Sequence, residues 1–164
     1  MALLRRMRHV GGRARLTLRS ALALLIPLLL WACERSDPRL RPEQVLKDSL
    51  QLGDEDRVHR VQVLSRDNHE ALDPESVTIR PGDYVEFVTE DHRVHAVAFE
   101  LDSLAPDRAT FLRRTGQEGS PPLVVQEARF VVTFADAPLG RYPFVLTGNG
   151  VATRGAIVVG EPGG

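Results

Sequence analysis

The stretch "YPFVLTGNGVATRGAIVV", Tyr142 to Val159, decides the fold. Tyr142, Phe144 and Leu146 recur every second residue, the period of a strand with one buried face. Gly148-Asn149-Gly150 interrupts the run, and Ile157 and Val159 resume the same period. Two apolar strands around a Gly-rich turn predict a hairpin. The turn has two readings: a loop that presents ligands, or a tight reversal built from residues that tolerate positive φ. The second is the expected one.

Outward from this hairpin the chain keeps reading as β. In "ARFVVTF" the residues Phe130, Val132 and Phe134 alternate. "SVTIRPGDYVEFVTED" gives two short strands around Pro81-Gly82-Asp83, with Val77, Ile79, Val85 and Phe87 facing inward. "VHAVAFE" is a further strand, and "VHRVQVL" another with Val61 and Val63 on one face. Six or seven short strands with turn residues between them and little helix predict an all-β, antiparallel sandwich or barrel over residues 57–164. The Asp102–Glu127 stretch is long for a structureless loop, so a short helix is expected at "APDRATFLRRTG", with Ala105, Ala109 and Leu112 on one face.

The N-terminus differs in kind. Six Arg and no acid fall within the first 32 residues, followed by the apolar run "ALALLIPLLLWAC". That run is short for a membrane span and suits the apolar core of a secretory signal. Leu30-Trp31-Ala32-Cys33 resembles a bacterial lipobox. Residues 1–32 are therefore read as a lipoprotein signal peptide and Cys33 as the lipidated residue. The alternative is an uncleaved anchor with an incidental Cys. Cys33 is the only cysteine, so no internal disulfide forms. Residues 33–56 read as a charged tether, with a short helix at "RPEQVLKDSLQLG" that begins near Pro42 and stops at Gly53.

Beyond the signal the chain carries 15 basic and 22 acidic residues. This surplus of acid argues against nucleic acid as a partner. No G-x-S-x-G, phosphate-binding loop or zinc-protease pattern is present, and no enzymatic role is expected. The run Asp54-Glu55-Asp56 sits in tether-like sequence and reads as solvated.

"VTIRPGDYVEFVTEDHRVHAVAF" and "APLGRYPFVLTGNGVATRGAIVV" together resemble the plastocyanin/azurin-like cupredoxins, from about Val58 to Val159. The resemblance implies a Greek-key sandwich and a type 1 copper site built from two His, one Cys and an axial Met. His95 matches the first His of that family. The Cys position falls on Leu146, the second His on Asn149 and the Met on Thr153. A type 1 site needs the thiolate, so a degenerate copper site and no cofactor are expected. Copper held by His95 and His92, with Asp91, Glu90 or Asn149 as further donors, is the alternative. Otherwise His95 is expected as a partly buried relic bonded near Asn149, and His92, His59 and His69 as surface residues.

Arg108, Arg113 and Arg114 are read as a solvated helix face, with anion binding as the alternative; for Arg154, pairing with an acid is one option that the sequence does not decide. These readings lead to one expectation. The chain is a lipoprotein of the periplasm or cell envelope, held to a membrane by its N-terminal lipid. Its domain is a non-catalytic binding or accessory module with an unknown protein partner. The alternative is a copper-binding or electron-transfer protein.

Overall fold

The computed structural model describes residues 37–160, so the signal peptide reading and Cys33 lie outside the described residues. Eight strands run β1 (Val58–Arg66), β2 (His69–Asp73), β3 (Ser76–Ile79), β4 (Tyr84–Thr89), β5 (His95–Phe99), β6 (Arg129–Thr133), β7 (Gly140–Gly148) and β8 (Thr153–Val159). The first sheet has the order β2-β1-β4-β6 and the second β3-β8-β7-β5. The predicted sandwich is present, but its strand sense is mixed. Four of the pairings are antiparallel, whereas β1 with β4 and β3 with β8 are parallel.

The parallel pairs arise because Pro81-Gly82-Asp83 does not close a hairpin. It carries the chain from β3 in the second sheet to β4 in the first. Alternation then puts Ile79, Val85 and Phe87 in the shared core with Val61, Val63, Val132, Phe134, Tyr142, Phe144, Leu146 and Ile157. The aromatic rings meet edge to face, Phe87 on Phe144 at 5.1 Å and Phe134 on Tyr142 at 5.3 Å. That geometry suits the ring quadrupoles. Tyr142 donates its hydroxyl proton to the Pro138 carbonyl at 2.6 Å, a tyrosine corner that fixes the entry to β7. Burial pushes the Tyr142 phenol up to about 12.

The helix expected in the 102–127 insertion is α2 (Pro106–Thr115), where α1 (Gln44–Leu50) is the earlier one. Of the expected face, Ala109 and Leu112 are buried, whereas Ala105 is the half-buried N-cap; Phe111 joins them and packs on Phe134 and Tyr142. The remainder of the insertion protects open strand edges. Leu123 bridges to His95 and Gly119 to Ala98 along β5, and the Gln117 amide bonds both backbone groups of Thr133 on β6.

Residues 37–56 depart from the tether reading. Helix α1 ends at Gln51, which takes φ 56, two residues before the expected stop at Gly53. The segment lies on the outer face of the first sheet, where Leu46, Leu52 and Val58 form a small second core with Tyr84 and Val131. The domain boundary placed at residue 57 thus divides residues that pack together. Glu86 on β4 points to this outer face and is fully buried there. Among the described residues, no helix is long and apolar enough to cross a membrane.

Candidate functional site

The end of the sandwich at which β4 finishes gathers three titratable side chains from three segments. His95 opens β5, directly opposite Gly148 on β7, and is fully buried. Its Nδ1 lies 2.7 Å from Oε2 of Glu70 on β2. Its Nε2 lies 2.8 Å from Oδ1 of Asp91, in the loop after β4. Both bonds are satisfied only with a proton on each. This group therefore holds one proton more than a neutral imidazole between two carboxylates.

The surroundings favour that arrangement. Glu70, also fully buried, accepts from the Gly150 backbone N–H at 2.9 Å and from the Ser65 hydroxyl at 3.2 Å. Asp91 accepts from the Ser65 and Arg93 backbone N–H groups, each at 2.8 Å. Burial alone would raise the Asp91 carboxyl. The His95 bond and these two N–H donors outweigh it and hold the carboxyl down at about 2. Because Glu70 belongs to the first sheet and His95 to the second, the cluster ties the two sheets together.

The Gly-rich turn serves this cluster, and the reason differs from the expected one. Neither Gly148, Asn149 nor Gly150 takes positive φ. Their small size is what matters. A Cβ on Gly148 would lie 2.6 Å from Glu70 Oε1 and 2.7 Å from the Val94 carbonyl. A Cβ on Gly150 would lie 2.7 Å from the Asn68 carbonyl and 3.1 Å from Glu70 Oε1. Glycine is needed here for close approach.

The structure separates the other predicted site residues. Leu146 is fully buried in the apolar core. Asn149 is exposed and Thr153 begins β8. The expected contact between His95 and Asn149 is replaced by Glu70 and Asp91. His92 is exposed, as is His69. Among the described residues, no three His, Cys, Asp or Glu side chains are arranged to hold a metal. Copper does not fit this set. There is no thiolate at position 146, and both His95 nitrogens are already bonded to carboxylates.

His59 corrects a surface expectation. It is only 8% exposed, and its Nε2 lies 2.7 Å from Asp83 Oδ2. The Arg80 N–H also donates to Asp83, at 3.1 Å. Burial would raise the Asp83 carboxyl, but the bonds from His59 and Arg80 hold it below the usual range. Alternation contained this signal, since His59 shares the inward face of β1 with Val61 and Val63. It also contained Glu70, which shares the inward face of β2 with Leu72.

The arginines form no common anion site. Arg108 donates to the Leu139 carbonyl at 3.0 Å, Arg113 lies 3.7 Å from Glu118, and Arg154 pairs with Glu100 at 3.0 Å.

No protein-family model matches the chain, and no curated protein matches it. Solved structures do match in fold. A plastocyanin from Dryopteris crassirhizoma is 21% identical, with 62% of this chain and 99% of that one covered and a TM-score of 0.49. A purple cupredoxin from Nitrosopumilus maritimus is 16% identical, with 62% and 99% covered and a TM-score of 0.42. A pseudoazurin from Sinorhizobium is 24% identical, with 64% and 75% covered and a TM-score of 0.41. The likeness is one of fold: two four-stranded sheets packed as a cupredoxin-like β-sandwich.

Proposed function

We propose that this chain is an extracytoplasmic, membrane-tethered lipoprotein whose cupredoxin-like domain is a non-catalytic binding or accessory module, its copper site replaced by a proton-holding cluster. One observation carries this reading: His95, at the family's first ligand position, is bonded on both ring nitrogens to Glu70 and Asp91. Copper would have to break one of those bonds and would find Leu146 where a thiolate is required. The Arg-rich start, the short apolar run and Leu30-Trp31-Ala32-Cys33 support the anchor. The unknown partner is a protein, in keeping with the acid surplus that disfavours nucleic acid.

The test is metal retention. The protein is loaded with Cu(I) and Cu(II) in turn, freed of excess and weighed by mass spectrometry. The expected result is metal-free protein. Stoichiometric copper that disappears in a His95→Ala variant would overturn the module reading. For the anchor, labelled fatty acid should enter the wild type and not Cys33→Ser; entry into both defeats the lipobox assignment.

A further inference from the structure

A second charged cluster lies outside the His95 site, and it involves the segment that precedes the sandwich. Glu86 on β4 points to the outer face of the first sheet, fully buried between Arg60 and Arg129. Its Oε2 accepts from Arg60 Nε at 3.1 Å and its Oε1 from Arg129 at 2.6 Å. Glu43, at the N-cap of α1, meets the same two arginines from the other side, Arg129 at 3.0 Å. Two acids and two guanidiniums alternate around one square. One corner belongs to residues 37–56 and three belong to the sheet.

Little else holds that segment down. Its apolar contacts with the sheet come from Leu46 and Leu52. Its backbone bonds are internal: Leu40 to Asp37, Leu46 and Lys47 to Glu43, Leu52 to Lys47. Among the described residues none joins residues 37–56 to a strand by backbone hydrogen bonding; that begins with Tyr84 to the Arg57 carbonyl. A cavity of about 140 Å³ remains beneath it, lined by Arg41, Glu43, Leu46 and Arg60 among others. Few apolar contacts, no shared backbone bonds and a half-exposed ionic clasp are the marks of a segment that opens before its domain unfolds.

We propose that residues 37–56 are a releasable strap, clasped to the sheet by Glu43 and able to undock while the sandwich stays folded. Clasped, its helix rises only about 10 Å. Undocked and extended, its roughly 20 residues reach about 65 Å. The strap follows directly on the anchor segment, so its release would let the module search much further from the membrane for its partner. That consequence rests on the lipoprotein reading; the release itself does not.

Lys47 is the only lysine in the chain and lies in α1, so a lysine-specific protease cuts only within the strap. The full chain in detergent is digested under native conditions and the rate of this single cut is followed. Glu43→Gln should speed it roughly five-fold, as expected for loss of two partly exposed ion pairs. Leu46→Ala should speed it about thirty-fold. The mild core variant Ile157→Val lowers global stability and should leave the rate unchanged. The proposal is overturned if Ile157→Val accelerates the cut in proportion to its loss of global stability, since the strap would then open only with the whole domain. It is equally overturned if Glu43→Gln leaves the rate as it was. Neither readout depends on whether Cys33 is acylated, so failure of the strap and failure of the anchor are separately visible.

Discussion

β4 runs from one buried histidine to another, and the two make an instructive pair. At its start His59 meets a single carboxylate, Asp83, and both residues belong to the first sheet or the turn that enters it. Beyond its end His95 meets two carboxylates, and the bonds cross from one sheet to the other. Asp83 keeps the Arg80 N–H and has the Arg57 guanidinium 3.8 Å away if His59 is removed. Among the described residues, Glu70 pairs with no Lys or Arg; its ion-pair partner is His95. One histidine therefore assists a turn, whereas the other is bonded to a carboxylate buried in the sandwich.

The comparison breaks most visibly in paired variants. His95→Ala leaves the Glu70 charge buried with hydroxyl and amide donors only, and should cost about 3–5 kcal/mol in urea unfolding. His59→Ala should cost about 1–2 kcal/mol, the value of one charged hydrogen bond with alternatives at hand. Equal losses would remove the distinction. Glu70→Gln in the His95→Ala background should recover part of the loss, because the buried charge is then gone.

Gly148→Ala sharpens the account at the same end. The new methyl group meets the Glu70 carboxylate and the Val94 carbonyl, and a loss of about 1–3 kcal/mol is expected. Positive φ plays no part there, so Gly148→Ser should behave no better than Gly148→Ala. A β-turn requirement would instead favour Asn at that position.

The smallest effect is in acid. The Asp91 carboxyl is depressed in the folded protein to about 2 from an ordinary 3.8. Its contribution is thus complete above about pH 4 and is lost as pH falls towards 2. An Asp91→Asn variant should show a shallower decline of stability across that window than the wild type. An identical decline would mean that Asp91 does not hold the His95 proton.

The strands were legible because their signal is local. Phe130 to Phe134 and Tyr142 to Leu146 state their own period, and Pro81-Gly82-Asp83 marks a turn. The sense of pairing was not, since β1 and β4 are brought side by side by contacts far apart in sequence. The site followed the same division. His95 was found by its place at the head of a strand, and the absence of a thiolate at Leu146 is read directly. Glu70 stood on an inward position of β2 but names no partner, because its partner lies 25 residues further on. Residues 37–56 follow the same division: their charged, Pro-containing sequence resembles a tether, and the contacts of Leu46, Leu52 and Glu43 with the sheet are made to residues distant in sequence.

The proposed function turns on His95 being bonded on both ring nitrogens to carboxylates. Nitrogen-15 NMR of the His95 ring tests it most directly, with and without an equivalent of Cu(II). Slowly exchanging protons on both ring nitrogens, bonded to carboxylates, and no change on addition of copper are expected. A bare ring nitrogen, or loss of the His95 signals to paramagnetic broadening by bound copper, would contradict it.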